Sequence, residues 1–325
     1  MKENPRNKPK VIGLTRIKDE KMLIKEHLAH LAKLCDEIYI FDDGSCDGTL
    51  EIIKKHPQVN GYISNPDWKP SKWIPRADPL RLAWKNERLL KFARKKSKAT
   101  KKDWLLFIDI DERFEDDFKD KLEKVINQDK YDVVVFELYD FFLTPKDWDL
   151  PYNGDITTMR KYCGNEYRLQ AFVYRNLPNI FCPRGTHREF FGYLPKRAWY
   201  TNWKVRHYGK AKSIDDYKHK ADWYKKYRGE VSDKDYKFKK PPVHKNGKSD
   251  LGKLVLWKEL KRNPQLRGEL FYKYEQLPFA RYKWSFYPIN FIFKLKKFTK
   301  NKSLFEIIKG ISGKISQRIT HLVKH

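Results

Sequence analysis

The chain has 325 residues, 40% hydrophobic and 15% aromatic, enough to bury one large core or two modest ones, which excludes a largely disordered chain. Lys and Arg number 70 against 42 Asp and Glu, and a formal net charge of +28 implies an anionic partner: nucleic acid, an anionic membrane face or a phosphorylated substrate. The same lysines, spread along the whole chain, also fit a merely solvated basic surface. Cys35, Cys46, Cys163 and Cys182 show neither C-x-x-C spacing nor a paired framework, which points to a reducing, cytoplasmic setting without structural zinc. No apolar run reaches the roughly 18 residues of a membrane span, and the N-terminus carries no apolar signal core, so neither a spanning segment nor a standard secretory signal is expected.

The first half reads as alternating strands and helices. A strand at 11–15 is followed by Leu23, Ile24, His27, Leu28, Leu31 and Leu34 at helical spacing, then by a strand at 37–41. Asp47 or Thr49 caps a second helix, and Gly61 opens a third short strand. Residues 65–79 hold four prolines and two tryptophans, the composition of a structured loop rather than a regular element. A helix over 80–95 leads into the strand of Trp104-Leu-Leu-Phe-Ile-Asp-Ile-Asp-Glu112; a helix near 116–126 and a buried strand over 132–142 follow. Beyond Leu143 the pattern loosens into short strands near 168–175, 189–193 and 204–208. Residues 228–250 are polar, Lys-rich and carry Pro241-Pro242, as a hinge would.

Two of these strands run straight into carboxylates, at Tyr39-Ile-Phe-Asp-Asp-Gly-Ser45 and at Asp109-Ile-Asp-Glu112. Acids at the carboxyl edge of a parallel sheet sit where open α/β folds bind nucleotides and their metals. Alternate residues of a strand face one side, so Asp109 and Asp111 can converge on Mg²⁺ or Mn²⁺, which leave their other positions to substrate phosphates and water. The bland alternative is a solvated strand end with capping acids. Asp42 and Asp43 likewise fit either a contact to a nucleobase or ribose hydroxyl, or an ordinary Asp-Gly turn.

Thr15-Arg-Ile-Lys-Asp-Glu20, Asp36-Glu-Ile-Tyr-Ile-Phe-Asp-Asp-Gly-Ser-Cys-Asp-Gly-Thr49 and Asp103-Trp-Leu-Leu-Phe-Ile-Asp-Ile-Asp-Glu112, in this order and spacing, resemble the family 2 glycosyltransferases of the GT-A fold. They are most similar to a branch with a D-x-D-E metal motif that includes lipopolysaccharide-core and surface-glycan enzymes. The resemblance is strong over about the first 115 residues and looser over the next hundred. It implies a Rossmann-like mixed α/β fold with a mainly parallel central sheet, flanking helices and a basic helical C-terminal region. The catalytic domain would cover 1–228, with a nucleotide-sugar half at 1–115 and an acceptor half at 116–228. A hinge at 229–250 and the C-terminal region at 251–325 would complete the chain.

The resemblance also implies roles. Thr15, Asp42, Asp43 and Asn86 would contact the nucleotide sugar, a UDP-sugar first, and Asp109 and Asp111 would hold Mn²⁺ or Mg²⁺ with the diphosphate. Val205-Arg-His-Tyr-Gly209 resembles the family's His-Tyr-Gly element and makes His207 a third ligand or a diphosphate contact; Arg206 and Lys210 could neutralise phosphate charge. Sugar transfer with inversion needs a base for the acceptor hydroxyl, and Arg184-Gly-Thr-His-Arg-Glu189 offers Glu189 first and His187 second. Asp19 and Cys46 depart from the usual Asn and Thr without removing a carboxylate.

At the C-terminus Leu304, Ile308, Ile311, Ile315, Ile319 and Leu322 recur at helical spacing among lysines. Such a stretch either packs on the domain or lies on an anionic membrane, which would suit a peripheral enzyme at the inner face acting on a lipid-linked or surface glycan. A nucleic-acid-binding or nucleic-acid-modifying protein is the alternative the charge suggests, although no helix-turn-helix, zinc-finger or RNP-like motif occurs. Nucleotidyl transfer by two metals would need more carboxylates than the sequence offers.

Overall fold

The computed structural model describes residues 8–66, 79–182, 190, 192–218, 243–244, 246–249 and 251–270, side chains of 79–83 and 195 excepted. All lie within one compact unit, Met1–Tyr274. The amphipathic stretch beyond residue 300, most of the 229–250 segment, His187 and Glu189 fall outside the described residues.

The first half folds as repeating β-α units. β1 (Val11–Ile17), α1 (Ile24–Ala32), β2 (Glu37–Asp42), α2 (Thr49–Lys55), β3 (Val59–Ser64), α3 (Pro79–Ser97) and β4 (Trp104–Phe107) follow one another, and the strands pair in parallel in the order β3-β2-β1-β4. α1 buries Ile24, His27, Leu28 and Leu31, one stripe at helical spacing, against this block. Past β4 the pairing turns antiparallel. β8 (Arg168–Arg175) lies between β4 and β6 (Val133–Phe142), antiparallel to both. All ten residues of β6 are buried, as its run of Val and Phe requires for a strand covered on both faces.

β9 (Ala198–Lys210) runs parallel to β6 and antiparallel to the three-residue β5 (Glu112–Phe114). Phe114 anchors β5: its ring stacks on Phe118 of α4 (Phe118–Ile126) with centroids 4.0 Å apart and meets Phe136 and Phe172 edge-on at about 5.5 Å. This aromatic cluster fixes the segment just after Asp111.

β11 (Gly252–Leu256) pairs antiparallel with β7 (Tyr162–Gly164) and belongs to the sheet. Two expectations differ from what is found. Phe190 and residues 192–194 are not in a strand. β4 ends at Phe107, so Asp109 and Asp111 are not aligned by strand alternation. Residues 109–112 form a turn closed by the Glu112 N–H donating to the Asp109 carbonyl (3.1 Å) and the Asp109 N–H donating to Glu112 Oε2 (2.9 Å).

Candidate active site

The carboxyl ends of β1, β2 and β4 share one edge, with Ile17 opposite Asp42 and Leu14 opposite Phe107. Asp42 is fully buried, and its carboxylate accepts from the Gly44 and Ser45 N–H groups at 3.2 Å and from Ser64 Oγ at 3.3 Å. It therefore shapes the turn. Gly44 sits at φ 72°, and a Cβ there would meet the Asn65 carbonyl at 2.6 Å, so glycine is required twice over. Asp43 is ion-paired with Lys85 of α3, both side chains being 5% exposed.

The same turn latches the loop after β1. Asp19, at φ 51°, donates its N–H to Ser45 Oγ (2.9 Å) and accepts the Cys46 N–H (2.7 Å). The Glu20 N–H reaches Thr49 Oγ1 and the Lys21 N–H reaches Asp47 Oδ2, each at 2.9 Å. Asp tolerates this left-handed backbone nearly as well as Asn, which explains why Asp19 serves here. Thr15 is fully buried and turns its hydroxyl into the core, 3.1 Å from His27 Nε2. Asn86 is buried with its amide donating to Cys182 Sγ at 3.3 Å.

At the second acidic turn the two aspartates face different partners. Asp109 Oδ1 lies 3.3 Å from Arg16, whose guanidinium also covers the Phe107 ring. Asp111 Oδ1 lies 3.7 Å from His207 Nε2, and its Oδ2 lies 4.0 Å from Lys212 Nζ. His207 arrives from β9, in register with Glu112 on one side and Asp140 of β6 on the other. Its Nδ1 is hydrogen-bonded to Asp140, which also pairs with Arg168.

Lys212 is 2% exposed and bonds both oxygens of Glu20, at 2.5 and 2.6 Å. Burial works against its charge, but Glu20 and Asp111 more than offset this and push its pKa up. Burial likewise opposes ionisation of Asp140, yet Arg168 and His207 beside it hold it well below the usual carboxylate range. Arg160 braces this corner from below, donating to the Ala211 and Lys212 carbonyls at 2.7 and 2.9 Å.

The structure thus brings Asp111 and His207 together, leaves Asp109 on the same turn facing Arg16, and places Asp42 and Asp43 at the neighbouring strand end. Arg16, Lys85, Asp140, Arg168 and Lys212 were missed in the sequence. Among the described residues, no three His, Cys, Asp or Glu side chains stand close enough to enclose a metal ion by themselves. A cradle exists nonetheless: a Cβ on Gly209 would lie 2.7 Å from His207 Nε2 and 3.1 Å from Asp111 Oδ2, so glycine keeps the space beside these two groups open. One carboxylate and one imidazole, with Asp109 on the same turn, fit a divalent cation completed by ligand and water oxygens.

Uncharacterised proteins of Mycobacterium tuberculosis and Mycobacterium bovis are each 31% identical over 175 residues, 53% of this chain and 38% of theirs. The match thus spans well under half the length of these curated relatives. Among solved structures, S. aureus TarS (residues 1–349) is 14% identical with a TM-score of 0.39, covering 67% of this chain and 66% of that one. A mannosyltransferase of Pyrobaculum calidifontis, solved with GDP-Man and Mn²⁺, is 13% identical with a TM-score of 0.35, covering 69% and 65%. The model of glycosyl transferase family 2 matches residues 17–193, more than half of the chain. With its mixed α/β sheet, consistent with the GT-A fold, the chain belongs to glycosyl transferase family 2.

Proposed function

We propose that this chain moves a sugar from a nucleotide-sugar donor to an acceptor hydroxyl, with inversion, using Mn²⁺ or Mg²⁺ held by Asp109, Asp111 and His207. The observation that carries this reading is the approach of Asp111 and His207, 3.7 Å apart beside Gly209, past the edge where the parallel strands end. When bound, the cation would neutralise charge on the departing diphosphate. The chain's own cations assist: Arg16 lies beside Asp109, Lys212 beside Asp111 and Lys210 beside Asp140, and they favour an anionic ligand. The 42–45 turn, held by Asp42 and by the Asp43–Lys85 pair, forms the nucleoside side of the cleft.

Glu189 takes the acceptor proton in this reading, with His187 as the second choice. The donor in this reading is a UDP-sugar and the acceptor a glycan or a lipid-linked saccharide. No helix among the described residues is long and apolar enough to cross a membrane, so attachment through the basic C-terminal stretch, at a cytoplasmic membrane face, belongs to the same proposal.

A thermal-shift screen of UDP-, GDP-, CMP- and dTDP-sugars with and without Mn²⁺ tests the reading, because a ligand that binds only the native state raises its stability. Stabilisation by one nucleotide class that requires Mn²⁺ is expected. Failure of every nucleotide sugar to shift the melting point in either condition overturns it.

A further inference from the structure

An imidazole offers a lone pair on one nitrogen only while the proton sits on the other, and ligating histidines are held in that form by an acceptor at the far nitrogen. His207 has this acceptor. Its Nδ1 meets Asp140 Oδ1, while its Nε2 is 3.7 Å from Asp111 Oδ1. Asp140 stands on the central strand β6 between Tyr139 and Phe141, only 3% exposed, in a segment that otherwise fills the core. A carboxylate is an expensive choice there unless it is paired and directed.

Its partners direct it. Arg168 of β8 bonds the same Oδ1 and its Nη2 also lies 3.3 Å from His207 Nδ1, while Lys210 lies 3.8 Å from Oδ2. The β6–β9 ladder sets Asp140 directly opposite His207 and slips out of register immediately afterwards, before Phe142. The pairing is thus built into the sheet rather than left to flexible side chains.

We propose that Asp140 is the positioning residue of this site: by accepting the Nδ1–H of His207 it leaves Nε2 bare and turned toward Asp111, where a divalent cation binds. Arg168 steers the carboxylate in turn. Asp140 itself touches neither donor nor cation. The inference rests on the metal-site reading above.

The full chain, wild type and Asp140→Asn, is titrated with Mn²⁺ alone and the free ion read by electron paramagnetic resonance. The variant, compared with wild type at a temperature where both are folded, is expected to bind Mn²⁺ about 10- to 100-fold more weakly. Equal Mn²⁺ affinity in both proteins overturns the inference alone; no Mn²⁺ binding by the wild type overturns the metal reading beneath it. A second measurement reads the wild-type ring directly. In wild-type protein labelled with ¹⁵N-histidine, at alkaline pH where the ring is neutral, His207 is expected as the Nδ1–H tautomer, its signals assigned by their loss in His207→Gln. An Nε2–H tautomer overturns the proposal.

Discussion

At Gly209 a Cβ would sit within 2.7 Å of His207 Nε2, closer than real Cβ contacts come, so Gly209→Ala must displace the imidazole or fill the cradle beside Asp111. The variant should fold, since Gly209 has no left-handed backbone to defend, yet lose Mn²⁺-dependent stabilisation by the nucleotide sugar. A full Mn²⁺-dependent shift in the alanine variant would sink the idea that this space is used. Asp111→Asn should abolish transfer with the fold intact, and an active, EDTA-insensitive variant would remove the metal from the mechanism. Lys85→Met makes a different point. It leaves the buried Asp43 carboxylate without its ammonium, which should destabilise the protein by about 3–5 kcal/mol, whereas Asp43→Asn with Lys85→Met should recover much of this. Urea unfolding of the single and double variants measures both effects. Asp109 and Asp111 were legible because they are adjacent and follow an apolar strand. Lys85, Asp140 and Lys212 were not, because each meets its partner only across the sheet or between a helix and a strand end.

Among the elements, the join between α1 and β5 carries the clearest pH dependence. His30 Nε2 accepts the Phe114 N–H at 3.2 Å, and burial together with Arg113 pushes its pKa down to about 3. His27, between Thr15 and Arg113, is lowered well below its ordinary value by burial and then by the same arginine. The folded protein therefore keeps both rings neutral where the unfolded chain, with ordinary histidines near pH 6.5, takes up protons. Stability from these groups is complete above that pH and falls as the pH drops, by about 1.4 kcal/mol per unit for each ring. The melting point should decline between about pH 7 and pH 5, and His30→Gln, which can still accept the Phe114 N–H, should flatten that slope by about one proton. Equal slopes in the two proteins would assign the effect elsewhere. Element by element, α1, β2 and β8 were readable from periodicity. β5 was not: three residues after a turn carry no pattern of their own, and only pairing with β9 makes them a strand.

For the whole molecule, one sheet carries the described residues from Val11 to Leu256. Beyond residue 250, Leu254 and Val255 pair with Gly164 and Cys163, and the following helix, Trp257–Arg262, docks Trp257 against Tyr139 and Phe141. A chain ending at Tyr274 should therefore keep its melting point and its Mn²⁺-dependent stabilisation by a nucleotide sugar, while one ending at 250 should not fold stably. A truncation at 274 that loses nucleotide-sugar stabilisation would show that the last segment completes the site. Partition of the full and shortened chains onto anionic vesicles reads the membrane role of that segment directly.

The sequence by itself determined the parallel first half and its two acidic turns, because those depend on local hydrophobic periodicity and on residues close together in the chain. Tertiary structure alone decided how the acids are used. Strand alternation does not align Asp109 with Asp111; a turn closed by Glu112 does, and the partners that give each carboxylate its task come from β1, β6, β8, β9 and α3. Charge pairing in a buried site depends on distance in space, and no spacing along the chain encodes that distance before the sheet has closed.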